Sequence, residues 1–361
     1  MEYFNRYTSN TLAGSGNQHI FKNKHPDEVT TGRVFYKIFT GGCYHYSILF
    51  SNIIDSTYAD GSQCHKNVVC DQWQIESLEL AICDSCNCEE MVEVGPMQKL
   101  TFSGSPSKTV MPGEFFHTDE VLLDVKKGQY ICLQMAFRGE KLPYHPESLL
   151  PIFVLEDGNW VPSKEMPVPG MIGCDRPVER RVAFLGDSIT QGIGTVPNSY
   201  AHWNACLAER LGPQDAYWNL GIGYGRADDA ASDGAWLFKA KQADVVMVCF
   251  GVNDILQGFE EKMVIKNLKT IAESLRACDV KVIIQTVPPF DYDDEKRPIW
   301  ENVNHFIQTE LAKEFFVFDN VPVLCDEKKG RHVAKYGGHP DAEGCALWAK
   351  AFYEALRKAN F

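Results

Sequence analysis

The sequence predicts two domains: an all-β domain of the sandwich or jelly-roll type over residues 1–170, and an α/β domain with a doubly wound parallel sheet over residues 178–361. Three observations support this. The chain has 361 residues, more than twice the usual size of one domain. Residues 28–170 consist of short segments that alternate apolar and polar residues, separated by Gly, Pro, Asp and Asn. From residue 178, apolar runs alternate with segments of helical periodicity.

The composition is that of a globular protein with an acidic surface. Apolar residues make up 45% of the chain and charged residues 23%, and the formal net charge is −13. Such a charge repels nucleic acid and anionic membranes, so we expect neither as a partner. Residues 1–13 lack the basic start and apolar run of a signal peptide. No segment approaches the roughly 18 apolar residues of a membrane helix. We therefore expect a cytoplasmic protein, of undetermined oligomeric state.

The thirteen cysteines fall into two groups. Eight are scattered singly, mostly among apolar neighbours, as small core residues are. The other five are close together in the sequence, and three of them form a C-x2-C-x-C run. This run could bind zinc with help from a further cysteine or His65, could form disulfides, or could be a loop of reduced thiols, which we favour. The five are Cys64, Cys70, Cys83, Cys86 and Cys88.

Two stretches of the first domain predict strands. In residues 73–82 the alternation slips at Glu76-Ser77, which predicts a β-bulge. Residues 121–125 and 131–137 alternate on either side of the KKGQ turn at 126–129, which predicts a hairpin with its glycine in the turn. Residues 143–177 contain seven prolines and predict an extended, irregular connector to the second domain.

The second domain predicts five strand–helix units. The predicted strands are residues 182–185, 216–222, 245–250, 282–287 and 315–318. The predicted helices are residues 200–211, 228–241, 259–277, 298–313 and 341–359. Sites in such sheets form beyond the carboxyl ends of the strands, so the residues that follow each strand are the ones to examine.

A serine, glycine-bearing turns, an amide and a histidine follow these strands. Ser188 comes directly after the first strand, NLGIGYG ends the second, Asn253 follows the third, and His339 precedes the last helix. Acyl transfer requires a nucleophile, a base for its proton and donors for the developing oxyanion. The sequence therefore predicts acyl-transfer chemistry at this edge of the sheet.

The three blocks GDSIT, GVND and HPDAEG, at residues 186–190, 251–254 and 339–344, resemble the serine, asparagine and histidine blocks of the SGNH (GDSL-type) hydrolases. The resemblance covers residues 178–361. It implies a flavodoxin-like three-layer fold and esterase or acylhydrolase activity with no cofactor. Carried over by position, Ser188 is the nucleophile, His339 the general base, and Asn253 an oxyanion donor.

Two further oxyanion donors are implied by the same resemblance. One is the backbone N–H of Ser188. The other is the N–H of a glycine after the second strand, and here the sequence departs from the family pattern. The alignment places Tyr224 at that glycine, between Gly223 and Gly225. Because every residue except proline has a backbone N–H, Tyr224 and Gly223 both stay candidates.

A larger departure concerns the acid of the family triad, which lies three residues before the histidine. That position is Tyr336 here. A backbone carbonyl, or a carboxylate from elsewhere such as Asp326, is needed to orient His339. We assign Asp341 to capping of the last helix, which Pro340 helps to begin.

With a β domain before the hydrolase blocks and no aspartate at position 336, the chain resembles bacterial carbohydrate esterases of this superfamily that carry an N-terminal β-sandwich. Some of these enzymes work with a Ser-His dyad. A weaker resemblance of the first domain to that sandwich rests on Ser51-Asn52 and residues 101–137.

Other polar residues near these blocks have structural interpretations. We expect Asp187 to organise its turn and Asp254 to be structural. We expect His202 and Trp203 to be packing residues at the start of a helix. Arg226 either contacts substrate or pairs with a neighbouring aspartate, and the sequence does not decide between the two.

The function that these observations favour is hydrolysis of a small acyl ester, with acetyl as the expected group and a carbohydrate or similar polar molecule as the alcohol. Two alternatives stay open. One is an acylhydrolase of the lipase or thioesterase type for longer chains. The other is a degenerate hydrolase that binds carbohydrate through its first domain, which the tyrosine at position 336 would explain.

Overall fold

The computed structural model describes residues 2–14, 16–57, 65–328 and 331–360. The chain divides into two compact units, Met1–Pro177 and Val178–Phe361. Within the described ranges, no helix combines the length and apolar character needed to cross a membrane.

The described part of the N-terminal unit is built almost entirely of strands. Its elements are α1 (Tyr3–Arg6), β1 (Thr8–Ser9), β2 (His19–Lys22), β3 (Thr30–Lys37), β4 (Gly42–Ser51), β5 (Ile53–Thr57), β6 (His65–Val69), β7 (Trp73–Cys83), β8 (Gln98–Leu100), β9 (Lys108–Val110), β10 (Phe115–His117), β11 (Val121–Val125), β12 (Tyr130–Arg138), β13 (Lys141–Tyr144), β14 (Ile152–Glu156), β15 (Asn159–Pro162) and β16 (Met171–Cys174).

Two larger antiparallel sheets share one core in this unit. The first has the order β1-β16-β4-β10, with β11 also paired to β4. The second has the order β15-β14-β3-β12-β7-β8, with β9 also paired to β7. Tyr46 and Ile48 of the first sheet and Ile75 and Leu133 of the second belong to a single buried cluster. The unit is therefore a strand-rich β domain, and its assignment to the sandwich or jelly-roll type stays a prediction.

The bulge predicted in β7 is confirmed. Ala136 of β12 lies opposite Ser77, whereas the next residue, Phe137, lies opposite Ile75, so Glu76 is the extra residue. The slip keeps Ile75 and Leu78 buried on the core face although three positions separate them.

The hairpin predicted at residues 121–137 is wrong. Strand β11 pairs with β4 of the first sheet, whereas β12 pairs with β3 and β7 of the second. Each of the two strands buries one face, as its alternation indicates. The buried face of β11 and the buried face of β12 belong to the same core, although the strands lie in different sheets. Alternation shows that a face is buried and does not show which strand accepts the hydrogen bonds. The turn glycine, Gly128, has the positive φ (86°) expected of a turn.

The connector predicted at residues 143–177 is also wrong, because this stretch supplies strands to the sheets. Strands β14 and β16 contain no proline and pair with β3 and β4 respectively. Pro143 lies in β13, one of two strands in a small separate sheet. Pro162 ends β15, the edge strand of the second sheet. The prolines thus lie at edges and strand ends, where a missing N–H disrupts little.

The described part of the C-terminal unit alternates strands and helices. Its elements are β17 (Arg181–Gly186), α2 (Ser188–Gln191), α3 (Trp203–Leu211), β18 (Ala216–Gly221), α4 (Ala227–Ala231), α5 (Ala235–Ala240), β19 (Val245–Cys249), α6 (Val252–Leu256), α7 (Glu261–Arg276), β20 (Lys281–Gln285), α8 (Lys296–Thr309), a 3-10 turn (Leu311–Lys313), β21 (Phe316–Phe318), α9 (Val321–Leu324), β22 (Cys325–Lys328), β23 (Arg331–Ala334) and α10 (Ala342–Lys358).

Strands β17 to β21 form one parallel sheet in the order β18-β17-β19-β20-β21, as the alternating pattern predicts. Helix α3 packs against α10, and α7 packs against α4 and α8. The rings of Trp203 and Trp348 stack between α3 and α10 with centroids 4.9 Å apart. All five predicted strands occur within two residues of their expected ends.

The predicted helices also occur, with three differences. The helix predicted at 200–211 begins at Trp203, because Tyr200 takes a left-handed conformation (φ 58°) and His202 is extended. The helix predicted at 228–241 is divided into α4 and α5, because Asp233 takes a left-handed conformation (φ 54°) and Gly234 follows it. The helix predicted at 298–313 begins at Lys296, and its last residues form a 3-10 turn. The short elements α2, α6, α9, β22 and β23 have too few residues to show a period in the sequence.

Candidate active site

Ser188 lies where β17, an inner strand of the parallel sheet, ends. Strand β17 pairs with β18 on one side and β19 on the other, and it stops at Gly186. A Cβ atom on Gly186 would lie 2.1 Å from Thr190 Oγ1 and 2.5 Å from the Cys249 carbonyl oxygen, so only glycine fits. The chain turns there, and Ser188 begins helix α2.

Asp187 makes this turn, as predicted, by capping α2. Its Oδ1 accepts a hydrogen bond from the Ile189 N–H at 3.0 Å. The residue is buried, and burial raises the pKa of its carboxyl to about 7, with Asp254 adding to the rise. The backbone N–H of Ile189 opposes that rise.

Asp254 is likewise buried and structural. Its two carboxylate oxygens accept from the backbone N–H groups of Ala227 (2.9 Å) and Asp228 (3.2 Å), at the start of α4. Burial raises the pKa of Asp254 to about 6, against the lowering effect of those two N–H groups. Asp254 thereby ties the turn after β19 to the segment that follows β18.

Ser188 and His339 are in hydrogen-bond contact. The distance from Ser188 Oγ to His339 Nε2 is 2.8 Å, within the range expected of a nucleophile and its base. His339 lies in the turn before α10 and is half-buried. Burial lowers the pKa of its imidazole below the usual value, which favours the neutral ring that accepts a proton.

The structure brings neither carboxylate weighed from the sequence to His339. Asp326 lies in β22 opposite Val333, and Asp341 caps α10, as predicted, by accepting from the Gly344 N–H at 2.9 Å. Tyr336 packs on the first turn of α10, where a Cβ on Gly344 would lie 2.7 Å from the tyrosine Cβ. Among the described residues, Ser188 is the one hydrogen-bond partner of the His339 ring.

Asn253 joins the two turns that follow β18 and β19. It is the second residue of α6. The helix follows Gly251, whose φ of 121° lets the chain leave the strand sharply. The side chain is 8% exposed. Its Nδ2 donates one hydrogen bond to the Gly225 carbonyl oxygen at 2.9 Å. An amide nitrogen has two N–H donors, so this bond uses one of them.

The turn after β18 distinguishes the two backbone candidates for the oxyanion site. The Gly223 N–H donates to Gln191 Oε1 at 2.6 Å, which argues against the role expected of it. Tyr224 has φ 57°, in the left-handed region that favours glycine. The tyrosine thus occupies, with backbone strain, a position whose conformation suits the glycine of the family pattern.

Arg226 pairs with a neighbouring aspartate, one of the two interpretations considered for it. Its Nε donates to Asp229 Oδ2 at 3.0 Å, and its Nη2 donates to Asp229 Oδ1. The arginine is 6% exposed and the aspartate 2%. His202 and Trp203 are buried packing residues, as predicted, and burial lowers the pKa of His202 to about 4.

Sequence reasoning missed Phe290 and Gly194, both of which contact His339. The Phe290 and His339 rings lie 5.5 Å apart, and a Cβ on Gly194 would lie 2.8 Å from the His339 carbonyl oxygen. The position of Phe290, beyond the end of β20, was a usable signal, because the same rule selected the residues after the other strands.

The cysteine run does not form a metal site in the described part of the chain. Cys83, Cys86 and Cys88 are free thiols, and burial raises the pKa of Cys83 to about 11 and that of Cys86 to about 12. No group of three or more metal-ligating side chains occurs among the residues described. Cys64, a proposed helper, lies outside the described residues.

Comparisons with known proteins concern the C-terminal unit. Residues 184–347 match the model of the GDSL-like lipase/acylhydrolase family. No curated protein matches the chain.

Solved structures similar to this chain cover about half of it. One is a member of the lipolytic protein G-D-S-L family from Veillonella parvula, with 22% identity, TM-score 0.41, and coverage of 49% of this chain and 98% of that one. Another is the psychrotrophic esterase EstA from Pseudoalteromonas sp., with 17% identity, TM-score 0.40, and coverage of 50% and 98%. A third is an acetyl-xylooligosaccharide esterase from Geobacillus, with 19% identity, TM-score 0.39, and coverage of 51% and 95%.

The order of the parallel sheet, the serine at the end of its inner strand β17 and the family match agree with one another. The C-terminal unit therefore carries a GDSL-like lipase/acylhydrolase domain with the SGNH hydrolase fold, and this domain supports ester hydrolase activity.

Proposed function

We propose that the protein is a serine esterase that removes a small acyl group, acetyl in the first instance, from a carbohydrate or similar polar alcohol. The observation that carries the proposal is the 2.8 Å contact between Ser188 Oγ and His339 Nε2 at the carboxyl end of β17. A neutral imidazole in this position is able to accept the proton of the attacking hydroxyl.

The reaction follows from that contact in two halves. Ser188 Oγ attacks the ester carbonyl carbon while its proton passes to His339 Nε2. The tetrahedral intermediate then collapses, the bond to the alcohol oxygen breaks, and His339 returns the proton to that oxygen. Water attacks the acyl-Ser188 ester in the second half, with His339 again taking and returning a proton. The acid leaves and the serine hydroxyl is restored.

Three donors are assigned to the oxyanion. The Asn253 amide has a second N–H beyond the one that holds Gly225, and the Ser188 N–H lies at the start of α2. Of the two turn residues considered, Tyr224 is the remaining candidate, because the Gly223 N–H donates to Gln191. Donors that are already ordered stabilise the developing charge without a cost of reorganisation.

The choice of a small acyl group on a polar alcohol rests on two features shared with the carbohydrate esterases that the sequence resembles. Within the described residues, no carboxylate is hydrogen-bonded to His339, as in a Ser-His dyad. A strand-rich unit precedes the hydrolase domain.

The test is a Ser188→Ala variant assayed on p-nitrophenyl acetate and on acetylated xylooligosaccharides, with Ser274→Ala in α7 as the matched control. We expect loss of hydrolysis and of fluorophosphonate labelling in the first variant and wild-type behaviour in the second. Wild-type hydrolysis by Ser188→Ala would show that the assignment of the nucleophile is wrong.

A series of p-nitrophenyl esters from acetate to decanoate tests the acyl group. We expect kcat/KM to be highest for acetate and to fall as the chain lengthens. A rise with chain length would replace the proposed substrate by that of a lipase-type or thioesterase-type acylhydrolase, and would leave the serine mechanism intact.

A further inference from the structure

We infer that Phe290 is a positioning residue that holds the His339 imidazole toward Ser188, a task that a carboxylate performs in a Ser-His-Asp triad. The inference rests on the proposed roles of Ser188 and His339. It concerns how the base is oriented, and it follows from the contacts that surround His339 in the C-terminal unit.

The two rings meet edge to face. Their centroids are 5.5 Å apart and their planes are inclined by 83°, a preferred geometry for aromatic pairs. Phe290 lies in the segment between β20 and α8, which leaves the sheet at the same carboxyl edge as Ser188. The phenyl ring therefore restricts rotation of the imidazole and removes water from one of its sides.

Gly338 allows this contact. A Cβ atom there would lie 2.8 Å from Phe290 Cε2 and 2.9 Å from Phe290 Cδ2, closer than side chains approach one another. The phenyl ring thus lies against the backbone of the residue before His339. Any other residue at 338 would push Phe290 away from the histidine.

Gly194 restrains the histidine backbone in a similar way. A Cβ atom there would lie 2.8 Å from the carbonyl oxygens of both His339 and Pro340, and its φ is 97°. The turn that follows α2 therefore packs directly on the backbone of the base. Since α2 begins at Ser188, this contact links the nucleophile and the base through a short rigid segment.

Charged groups near His339 are engaged elsewhere. Asp291, next to Phe290, accepts from the Ala334 N–H at 2.6 Å. Asp341 caps α10, and the Lys335 ammonium lies 5.0 Å from the centroid of the Tyr336 ring. The Tyr292 hydroxyl donates to the Pro288 carbonyl oxygen at 3.3 Å.

In the described part of the chain, packing rather than an ion pair therefore orients the base. Burial, which lowers the pKa of His339, is the dominant electrostatic influence on it. Removing the phenyl ring exposes the imidazole to water and weakens that influence.

The experiment compares Phe290→Ala and Phe290→Leu with wild type in kcat, KM and the pH dependence of kcat/KM for p-nitrophenyl acetate. Phe315→Ala, at the residue just before β21, is the control for loss of a phenyl ring. Titration with a fluorophosphonate gives the concentration of competent sites, so that kcat is expressed per site.

We expect Phe290→Ala to lower kcat by about ten- to a hundredfold with KM changed less than kcat, because a misplaced base slows the proton transfer. The acidic limb of its pH profile should move upward, toward the value of about 6.5 of an exposed imidazole. Phe290→Leu keeps the site buried, so it should lose less kcat and keep the wild-type acidic limb. Phe315→Ala should behave as wild type.

Two results would overturn the inference. One is wild-type kcat per site in Phe290→Ala. The other is a lower kcat in Phe290→Ala with the acidic limb unmoved, since that pattern indicates a structural role only. The proposed function is refuted by a different result, namely activity retained in Ser188→Ala. If Ser188→Ala is inactive and Phe290→Ala behaves as wild type, only the inference about Phe290 is refuted.

Discussion

Substitution of Asp187 by asparagine should change how the stability of the C-terminal unit depends on pH. We expect the free energy of unfolding of the variant, minus that of wild type, to be larger at neutral pH than in acid. Asp187 is 1% exposed and caps α2 through Oδ1. Asparagine is an equally good helix cap, so the hydrogen bond from Ile189 should persist. The substitution therefore removes the ionisation and keeps the turn.

The sign follows from the raised pKa. Burial raises the pKa of Asp187 from 3.8 to about 7 in the folded state. Between these two values the unfolded chain has released the proton and the folded chain retains it, so stability falls as pH rises and becomes constant above about pH 8. At about 1.4 kcal/mol per pH unit, the total loss is roughly 4 kcal/mol, of which about 2 kcal/mol falls between about pH 5 and pH 7.

Asp187→Asn has no such loss, so its stability relative to wild type should rise by about 2 kcal/mol over that interval. The Asp187 Oδ2 has no hydrogen-bond partner among the described residues. The amide N–H₂ that replaces it will add a cost, but that cost is the same at both pH values. The pH dependence is therefore the informative quantity.

The assay is hydrogen exchange of the amides of β17 in increasing urea at the two pH values, which reports unfolding of the C-terminal unit separately from the N-terminal one. Asp341→Asn is the matched control, because Asp341 caps α10 in the same way but is exposed. A difference between Asp187→Asn and wild type that stays constant from about pH 5 to pH 7 would refute the burial argument.

Two other substitutions test separate parts of the C-terminal unit. Asn253→Ala should lower kcat on p-nitrophenyl acetate by about 10²- to 10³-fold with little change in KM, because the amide acts on the transition state; a change in KM alone would contradict its role as an oxyanion donor. Arg226→Ala should destabilise the unit by about 3–5 kcal/mol in urea denaturation, because it deprives the buried Asp229 carboxylate of its bidentate partner; a loss below about 1 kcal/mol would contradict that account.

The sequence predicted the C-terminal unit closely because its signals are local. Each strand from β17 to β21 is an apolar run, and each longer helix has its own period. Parallel strands place their carboxyl ends at one edge, so the residues that follow them could be grouped before any contact was known. Ser188 and His339 were brought together in this way from positions far apart in the chain.

The N-terminal unit shows where local signals fail. The alternation of β11 and β12 was correct, as was the bulge at Glu76. The pairing was not, because β11 and β12 lie in different sheets over the same core, and alternation shows that a face is buried without showing the partner strand. Prolines were taken to interrupt the sheets, although β14 and β16 lie between them and contain none.

By itself, the sequence determined which residues follow the parallel strands, and the resemblance to the SGNH hydrolases selected from it the nucleophile, the amide and the base proposed for the site. Only the tertiary structure decided what surrounds the base: Phe290 beside the imidazole, Gly194 against its backbone, and Tyr336 turned onto α10. It also decided that the Gly223 N–H is held by Gln191. The physical reason is that strand ends follow from local pattern, whereas the contacts of a side chain depend on segments far away in the sequence that pack against it.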